Sequence, residues 1–233
     1  MMSAARRQPF GARIASVKGP ALLLFALATL AAQQEGPPYK FNAPASGAPL
    51  YKFGTTVVAT SGFRGEIYFI EPGTDRLPDF SKLKPVGTIY TPCLNVPAQS
   101  FDQGFPGVTN RFEWFAIDYH ARFWVSRPGR YYFALVSDDG SILYIDDKKI
   151  IDNDGGHPVL QKEGNLKLKE GVHRIRVSYF QGPRYHVALL LGVSPPNERH
   201  FRLFHTDEFM PPPDAPGWDA ADDGSAPAPQ RKR

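Results

Sequence analysis

Two neighbouring aspartates followed by a glycine, Asp138-Asp139-Gly140, are the residues of this sequence best suited to bind a cation. Calcium takes about six to eight oxygen ligands, so two carboxylates need backbone carbonyls, water or the oxygens of a ligand to complete the shell. Successive side chains of a strand point to opposite faces, so both carboxylates reach one ion only where a turn or a cis bond interrupts strand geometry. Gly140 relaxes the steric limits at that point. The chemistry that these residues could support is the binding of a divalent cation such as calcium.

The same three residues also fit a polar hairpin turn. Asp-Gly is a strong hairpin signal, and the flanking segments Tyr131–Ser137 and Ile142–Ile145 are rich in strand-forming residues. Because such turns are far commoner than ion sites, the residues alone favour the turn. A cation site formed by the same residues remains the alternative interpretation.

A second acidic segment, Asp152-Asn153-Asp154-Gly155, begins like the calcium loop found between two helices. That loop requires a ligand at its fifth position and glycine at its sixth, where this sequence has Gly156 and His157. No helical periodicity flanks the segment. We therefore predict a turn here, and a solvated turn at Lys148-Lys149 as well.

No catalytic signature stands out in the chain. The patterns Gly-x-Ser-x-Gly, His-Glu-x-x-His and Gly-x-x-x-x-Gly-Lys are absent, and the histidines form no ligand-spaced pair on one predicted face. Cys93 is the only cysteine, which excludes an intrachain disulfide and a cysteine-based metal site. We predict that the protein is not an enzyme.

Short strands must position these residues. The 21 glycines and 23 prolines argue against a helical bundle, because both residue types interrupt helices and favour turns. Ile175, Val177 and Tyr179 alternate with Arg176 and Ser178, which predicts one buried face and one wet face. Similar runs without helical periodicity recur between the two chain ends. This pattern predicts an all-β fold, an antiparallel sandwich or a barrel.

Most of the net charge lies near the amino terminus. Residues 1–32 hold four of the 27 basic residues and no acidic residue, which leaves 23 of each sign in the rest of the chain. A neutral remainder does not favour nucleic acid as a partner. The cationic stretch precedes a run of twelve mostly apolar residues, Ala21 to Ala32, as in a secretory signal. That run is shorter than the roughly 20 residues needed to span a membrane, so no transmembrane segment is expected after signal removal.

Composition predicts four regions along the chain. Residues 1–32 are the predicted signal peptide, with an uncleaved anchor as the alternative, and residues 33–61 form a Pro/Gly-rich linker. Residues 62–209 form the β-rich domain. Residues 210–233 contain few aliphatic side chains to bury, which predicts a disordered tail.

Several ordered blocks of the sequence resemble the PA-fourteen domain, a family named for anthrax protective antigen. The block from Tyr131 to His157 resembles the family signature, and Phe112-Glu113-Trp114-Phe115 precedes it. Leu166 to His173 and Val177 to Phe180 follow it in the family order. The resemblance covers most of the chain from 63 to 193, and it implies a lectin-like β-sandwich of exported and surface proteins.

The resemblance also implies a site. In sugar-binding members of the family, two adjacent aspartates joined by a cis peptide hold a calcium ion that coordinates sugar hydroxyls, and the matching positions here are Asp138 and Asp139. A second loop supplies an Asn or Asp ligand in those members. The corresponding segment begins at Gln181, which offers a neutral oxygen, and contains Tyr185, a candidate for stacking on a sugar ring. The predicted ligand-binding residues are therefore Asp138, Asp139, Gly140, Gln181 and Tyr185.

The expected function is that of an exported, non-catalytic carbohydrate-binding module, with calcium as the expected ion and a glycan or cell-wall polysaccharide as the partner. Its expected location is secreted, periplasmic or at the cell surface. The alternative is a structural module of the cell envelope that binds a protein partner and neither sugar nor calcium.

Overall fold

The computed structural model describes residues 62–100, 104–108, 111–183 and 185–218. The predicted signal peptide, the linker and residues 219–233 of the predicted tail lie outside the described residues. The strands within them are β1 Phe63–Phe69, β2 Gly87–Thr91, β3 Asn95–Ser100, β4 Phe115–Val125, β5 Gly129–Asp138, β6 Ser141–Ile145, β7 Lys148–Asn153, β8 Leu160–Leu168, β9 Gly171–Gln181, β10 His186–Ser194 and β11 Arg202–Leu203. Two short 3-10 turns, Phe80–Lys82 and Thr206–Phe209, complete the elements.

The strands form two antiparallel sheets that pack face to face. One has the order β2-β1-β4-β9-β6-β7, and the other has the order β11-β10-β5-β8, with β3 also paired to β10. The prediction of an antiparallel β-sandwich is confirmed. Strands β7 and β8, at the ends of their respective sheets, lie next to each other along one side of the sandwich.

The core lies between the sheets and is rich in aromatic side chains. Ile175, Val177 and Tyr179 of β9 are buried in it, as the alternation predicts. Phe115 and Phe105 make ring contacts with Tyr179, at centroid distances of 6.2 and 5.1 Å. These contacts fix the carboxyl-terminal end of β9, which borders the candidate site.

The outer face of β9 is not wet throughout, contrary to the prediction. Ser178 is buried, and its hydroxyl donates to Asp118 Oδ1 at 2.7 Å. Arg176 Nε donates to the same oxygen at 2.8 Å, and His120 Nε2 lies 2.9 Å from Asp118 Oδ2. Burial opposes ionisation of Asp118, but the hydrogen bonds from His120 and Arg176 outweigh it and lower the pKa of this carboxyl. A buried carboxylate thus organises polar side chains on this face.

The hairpin between β6 and β7 corrects the prediction of a turn at Lys148-Lys149. Both lysines belong to β7, and the two-residue turn consists of Asp146 and Asp147. Their φ angles of 49° and 64° are those required by the tight turn that suits a right-handed sheet twist. Aspartate tolerates this conformation better than lysine does, because its short side chain hydrogen-bonds locally. Asp146 Oδ1 accepts from the backbone N–H of Arg174 at 2.9 Å.

The described chain continues beyond the β-rich domain as far as Trp218. Ala215 is buried, and the backbone carbonyl of Trp218 accepts a hydrogen bond from Arg122 Nη1 at 2.7 Å. The Arg122 guanidinium also lies over the Trp218 ring, 5.1 Å from its centroid. Within the described ranges, no helix is long and apolar enough to cross a membrane.

Candidate functional site

Asp138 and Asp139 lie where the chain crosses from one sheet to the other. Asp138 ends β5, which pairs with β8 and β10, whereas β6 begins at Ser141 and pairs with β7 and β9. The two strands therefore do not form a hairpin, and the interpretation of Asp138-Asp139-Gly140 as a hairpin turn is wrong. The peptide bond between the aspartates is cis, as the resemblance implies.

Both aspartates are nearly enclosed. Their exposed fractions are 7% for Asp138 and 6% for Asp139, which is low for ionisable side chains. Burial, and to a lesser degree the neighbouring charge of Asp139, raise the pKa of Asp138 to about 7, against the opposing influence of His157 and a backbone hydrogen bond from Val159. Burial also raises the pKa of Asp139. A pair of carboxylates in this setting favours a proton or a cation beside it.

Backbone donors from two loops hold the Asp139 carboxylate. The Gly182 N–H donates to Oδ2 at 2.7 Å, and the His157 N–H donates to Oδ1 at 3.2 Å. These bonds oppose the effect of burial on the pKa of Asp139. They tie the loop after β7 and the loop after β9 to one side chain, so that Asp139 determines the shape of the site.

Glycines allow the loops to approach this closely. A Cβ atom on Gly140 would lie 2.4 Å from Phe180 Cε1 and 2.8 Å from the Gly155 nitrogen, both shorter than real contacts. A Cβ atom on Gly182 would lie 3.1 Å from Asp139 Oδ2. Gly140 is therefore required for packing at the sheet crossover.

Gln181 lies at the site but does not present its oxygen to it. The side chain is fully buried, and its Oε1 accepts from the Tyr179 hydroxyl at 2.6 Å. Its Nε2 faces Asp139 Oδ2 at 3.4 Å and donates to the His186 carbonyl at 3.1 Å. The Tyr179 hydroxyl also lies 2.7 Å from the Asp138 carbonyl oxygen. Gln181 thus helps to position the aspartates, through its contact with Asp139 and through Tyr179, which contacts both Gln181 and Asp138.

Tyr185 lies on the loop that follows β9 and is 80% exposed, the most exposed large apolar or aromatic side chain of the described residues. No ring contact or hydrogen bond of this side chain occurs among the residues that the structure describes. This exposure suits stacking on a ligand, because the ring already lies at the surface and no core packing has to be disrupted for the contact.

The sequence did not single out the residues that complete the site, His157 and Gly182. Both ring nitrogens of His157 face backbone carbonyls, Nδ1 that of Pro158 at 2.8 Å and Nε2 that of Asn153 at 2.9 Å. These contacts hold the loop whose N–H reaches Asp139. The glycine pair Gly155-Gly156 is the sequence signal of an unusual backbone conformation in this loop, and Gly155 has a φ of 115°.

The donor set suits a calcium ion in part. Asp138 and Asp139 supply two carboxylates, but no group of three His, Cys, Asp or Glu side chains is placed to hold a metal ion within the part of the chain that the structure describes. The rest of a calcium shell would come from backbone carbonyls, water and ligand hydroxyls.

In calcium-free protein, we expect the free energy of unfolding to fall as the pH rises, over the range from about 4 to about 7. The folded pKa of Asp138 is raised to about 7, whereas an aspartate in an unfolded chain has a pKa of about 3.9. The folded state therefore holds the proton more tightly, and this advantage is lost as the carboxyl ionises. Asp138→Asn is expected to remove part of the fall and to be the more stable protein above neutrality.

Urea unfolding of both proteins at about pH 5 and about pH 8 measures this difference. Asp147→Asn is the matched control, because Asp147 lies in the exposed β6–β7 turn and should leave the pH dependence of the wild type unchanged. The same pH dependence in Asp138→Asn and in the wild type would contradict the proposed electrostatics.

Comparison with known proteins agrees with this geometry. Residues 97–201 match the family model of the PA14 domain, which confirms the resemblance for this part of the chain and includes all five predicted site residues. No curated protein matches the sequence.

Solved structures show the same fold. The PA14 domain of the antifreeze protein MpAFP superposes with a TM-score of 0.53 at 15% identity, covering 66% of this chain and 93% of that one. A PA14 sugar-binding domain from an RTX adhesin has a TM-score of 0.50 at 15% identity, covering 64% and 97%. An anti-sigma factor domain-containing protein has a TM-score of 0.52 at 19% identity, covering 66% of this chain. The match spans about half (49%) of the length of that protein. At identities of 15 to 19%, these similarities establish a shared fold and nothing about function.

Proposed function

We propose that this chain, in which residues 97–201 form a PA14 domain, is a carbohydrate-binding module whose ligand site is centred on Asp138 and Asp139. The observation that carries the proposal is the pair of nearly enclosed carboxylates at the sheet crossover, held by backbone donors from two loops. Among the described residues, neither aspartate forms an ion pair with a lysine or an arginine. A buried acidic pair that lacks such a partner is costly unless it serves a ligand.

The name of one structural neighbour supports this function. The RTX adhesin domain is described as sugar-binding, and it has the same fold as this chain. We propose sugar binding for this chain because the candidate site at Asp138 and Asp139 is present as well, since a shared fold alone can host many functions.

Calcium is the proposed ion of the site. The two carboxylates would supply the charge, and vicinal hydroxyls of the sugar would complete the coordination, so that the ion orients the ligand. Tyr185 is proposed to stack on the sugar, while Gln181 and Gly140 hold the aspartates in place. The proposed module acts outside the cytoplasm and without catalysis, in keeping with the predicted signal.

One observation favours a second candidate, a protein-binding module of the cell envelope. Gln181 stands where calcium-binding members of the family are expected to provide an Asn or Asp ligand, yet its oxygen is directed at Tyr179. The second loop therefore contributes no side-chain oxygen to an ion from that position. A module that retains the crossover for packing alone would have this arrangement.

A glycan-array screen of the full chain, run in calcium and in a chelator, separates these candidates. We expect binding to a defined set of glycans that disappears in the chelator. Binding that survives chelation would retain the carbohydrate and reject the ion. Absence of binding in both conditions, together with a crosslinked envelope protein as partner, would favour the second candidate.

A further inference from the structure

A second concave site lies at the opposite end of the sandwich from the aspartate pair. It is an open cleft of about 610 Å³ whose lining includes Ile145, Asp146, Leu168 and His173. Arg130, on its rim, precedes Asp138 by eight residues in β5, which corresponds to about 26 Å at the usual strand rise of about 3.3 Å per residue. The cleft is therefore separate from the candidate calcium site.

Residues of both sheets line the cleft, at positions where strands begin or end. Lys148 starts β7, and Lys167 lies near the end of β8. The strands pass so closely that a Cβ atom on Gly164 would lie 2.5 Å from the Ile150 carbonyl oxygen. A rigid sheet edge on each side fixes the positions of the side chains that line the cleft.

Positive charge dominates the lining. Its cations are Arg130, Lys148, Lys167 and Lys169, and its single carboxylate is that of Asp146. Across the described ranges, none of these four cations takes part in an ion pair. Arg130 donates instead to the neutral Asn165 side chain. Ion pairs among the described residues therefore do not neutralise the positive charge of these four side chains.

Asp146 is already engaged. Its Oδ2 lies 2.6 Å from His173 Nδ1, and its Oδ1 accepts from the Arg174 backbone N–H. His173 Nε2 lies 2.9 Å from the Lys169 carbonyl oxygen, so the ring is fixed at both nitrogens. These contacts organise the wall of the cleft and leave the lysines available to a ligand.

Two of the cations face each other in the sheet. Arg130 and Lys167 are directly opposite in the register of β5 and β8. Like charges at such positions destabilise a sheet. Their side chains lie on the outer face of this sheet, because they alternate with the buried Tyr131 and Leu168. An anion bound between them at the edge of the cleft would offset the repulsion.

The other lining residues restrict the class of anion. No Phe, Tyr or Trp is among the described residues of the cleft, so it has no surface on which nucleic-acid bases could stack. The volume falls within the range of about 300 to 1,000 Å³ that is typical of sites for small ligands. Lysine and arginine side chains suit sulfates and carboxylates, with which they form charge-assisted hydrogen bonds.

We propose that this cleft, defined by Arg130, Lys148, Lys167 and Lys169, binds an acidic oligosaccharide that carries sulfate or carboxylate groups. The site is independent of the calcium site and of the function proposed for it. One domain would then contact a glycan surface at both ends, through hydroxyl groups at one and through negative charge at the other.

The test measures binding of the full chain to a heparin-derived tetrasaccharide and to tetragalacturonate, with cellotetraose as the neutral probe. We expect at least one acidic probe to bind and the neutral probe not to bind. The double variant Lys167→Ala with Lys169→Ala should lower the affinity at least about tenfold, because each lysine is expected to make a charge-assisted contact. Asp139→Asn should leave this binding unchanged.

Lys82→Ala with Lys84→Ala is the matched control, because it removes the same charge from exposed positions outside the cleft. The basic residues at both chain ends are present in every variant. An equal loss in the control would show that only diffuse charge attracts the probe and would overturn the proposal. The proposal would also be overturned if neither acidic probe bound, or if a single-stranded DNA octamer bound as tightly with the same dependence on the lysines.

Discussion

Asp139→Asn is expected to lower the affinity of the protein for its glycan at least about 100-fold, which corresponds to about 2.7 kcal/mol. The substitution removes one of the two negative charges proposed to hold calcium. It also places an amide NH₂ beside either the Gly182 N–H or the His157 N–H, both of which donate to the carboxylate. One backbone donor then loses its acceptor, so the loops around the ion separate.

The measurement is a titration of the glycan identified by the array, in saturating calcium, with wild type and variant. Asp147→Asn is the control for the chemical change, because Asp147 lies in the β6–β7 turn at the other end of the sandwich. The melting temperature of each variant verifies that it is folded. Unchanged affinity in folded Asp139→Asn would remove the aspartate pair from the proposed site.

Gly140→Ala is expected to destabilise the protein by about 3 kcal/mol, at the upper end of the usual cost of overpacking a core. The new Cβ atom would lie 2.4 Å from Phe180 Cε1, and 2.8 and 2.9 Å from the nitrogen and oxygen of Gly155. Phe180 is fully buried, and the Gly155 atoms belong to the backbone, so neither neighbour can move without cost. The loop that carries His157 would be displaced together with Gly155.

Gly87→Ala provides the matched control for this substitution. Gly87 lies in β2, and its Cβ atom would meet only Ile67 Cδ1 at 3.6 Å, an ordinary contact. Urea unfolding of both variants measures the difference. Equal stability of the two alanine variants would contradict the close packing described at the crossover.

The sequence was sufficient to predict the fold class, because hydrophobic alternation reports directly on burial. Ile175, Val177 and Tyr179 are buried as that pattern predicts. Strand β8 is not evident from the sequence, because its residues are mostly polar or exposed. Its Gly164 permits a close approach to β7 but does not favour a strand. Edge strands of this kind carry little hydrophobic signal.

The sheet crossover could not be predicted from the residues alone. Asp-Gly between two strand-like segments signals a hairpin, and only the pairing of β5 and β6 with different partners distinguishes a crossover from a hairpin. That pairing depends on contacts far apart in sequence. The family resemblance pointed to the aspartates because it reflects that long-range arrangement.

The orientation of Gln181 shows the same limit at the level of a side chain. Its position beside the aspartates follows from the end of β9, but the direction of its amide depends on the Tyr179 hydroxyl and the His186 carbonyl. Neither partner is evident from local sequence. His157 and Gly182 were missed for a similar reason, since they contribute backbone N–H groups, which every residue except proline has.

A crystal structure of the protein with calcium and the glycan selected by the array tests the proposed site most directly. We predict one calcium ion bound by the carboxylates of Asp138 and Asp139, with two sugar hydroxyls on the ion and the sugar ring against Tyr185. A glycan bound elsewhere on the sandwich, or bound at the crossover without an ion between it and the aspartates, would contradict the proposal.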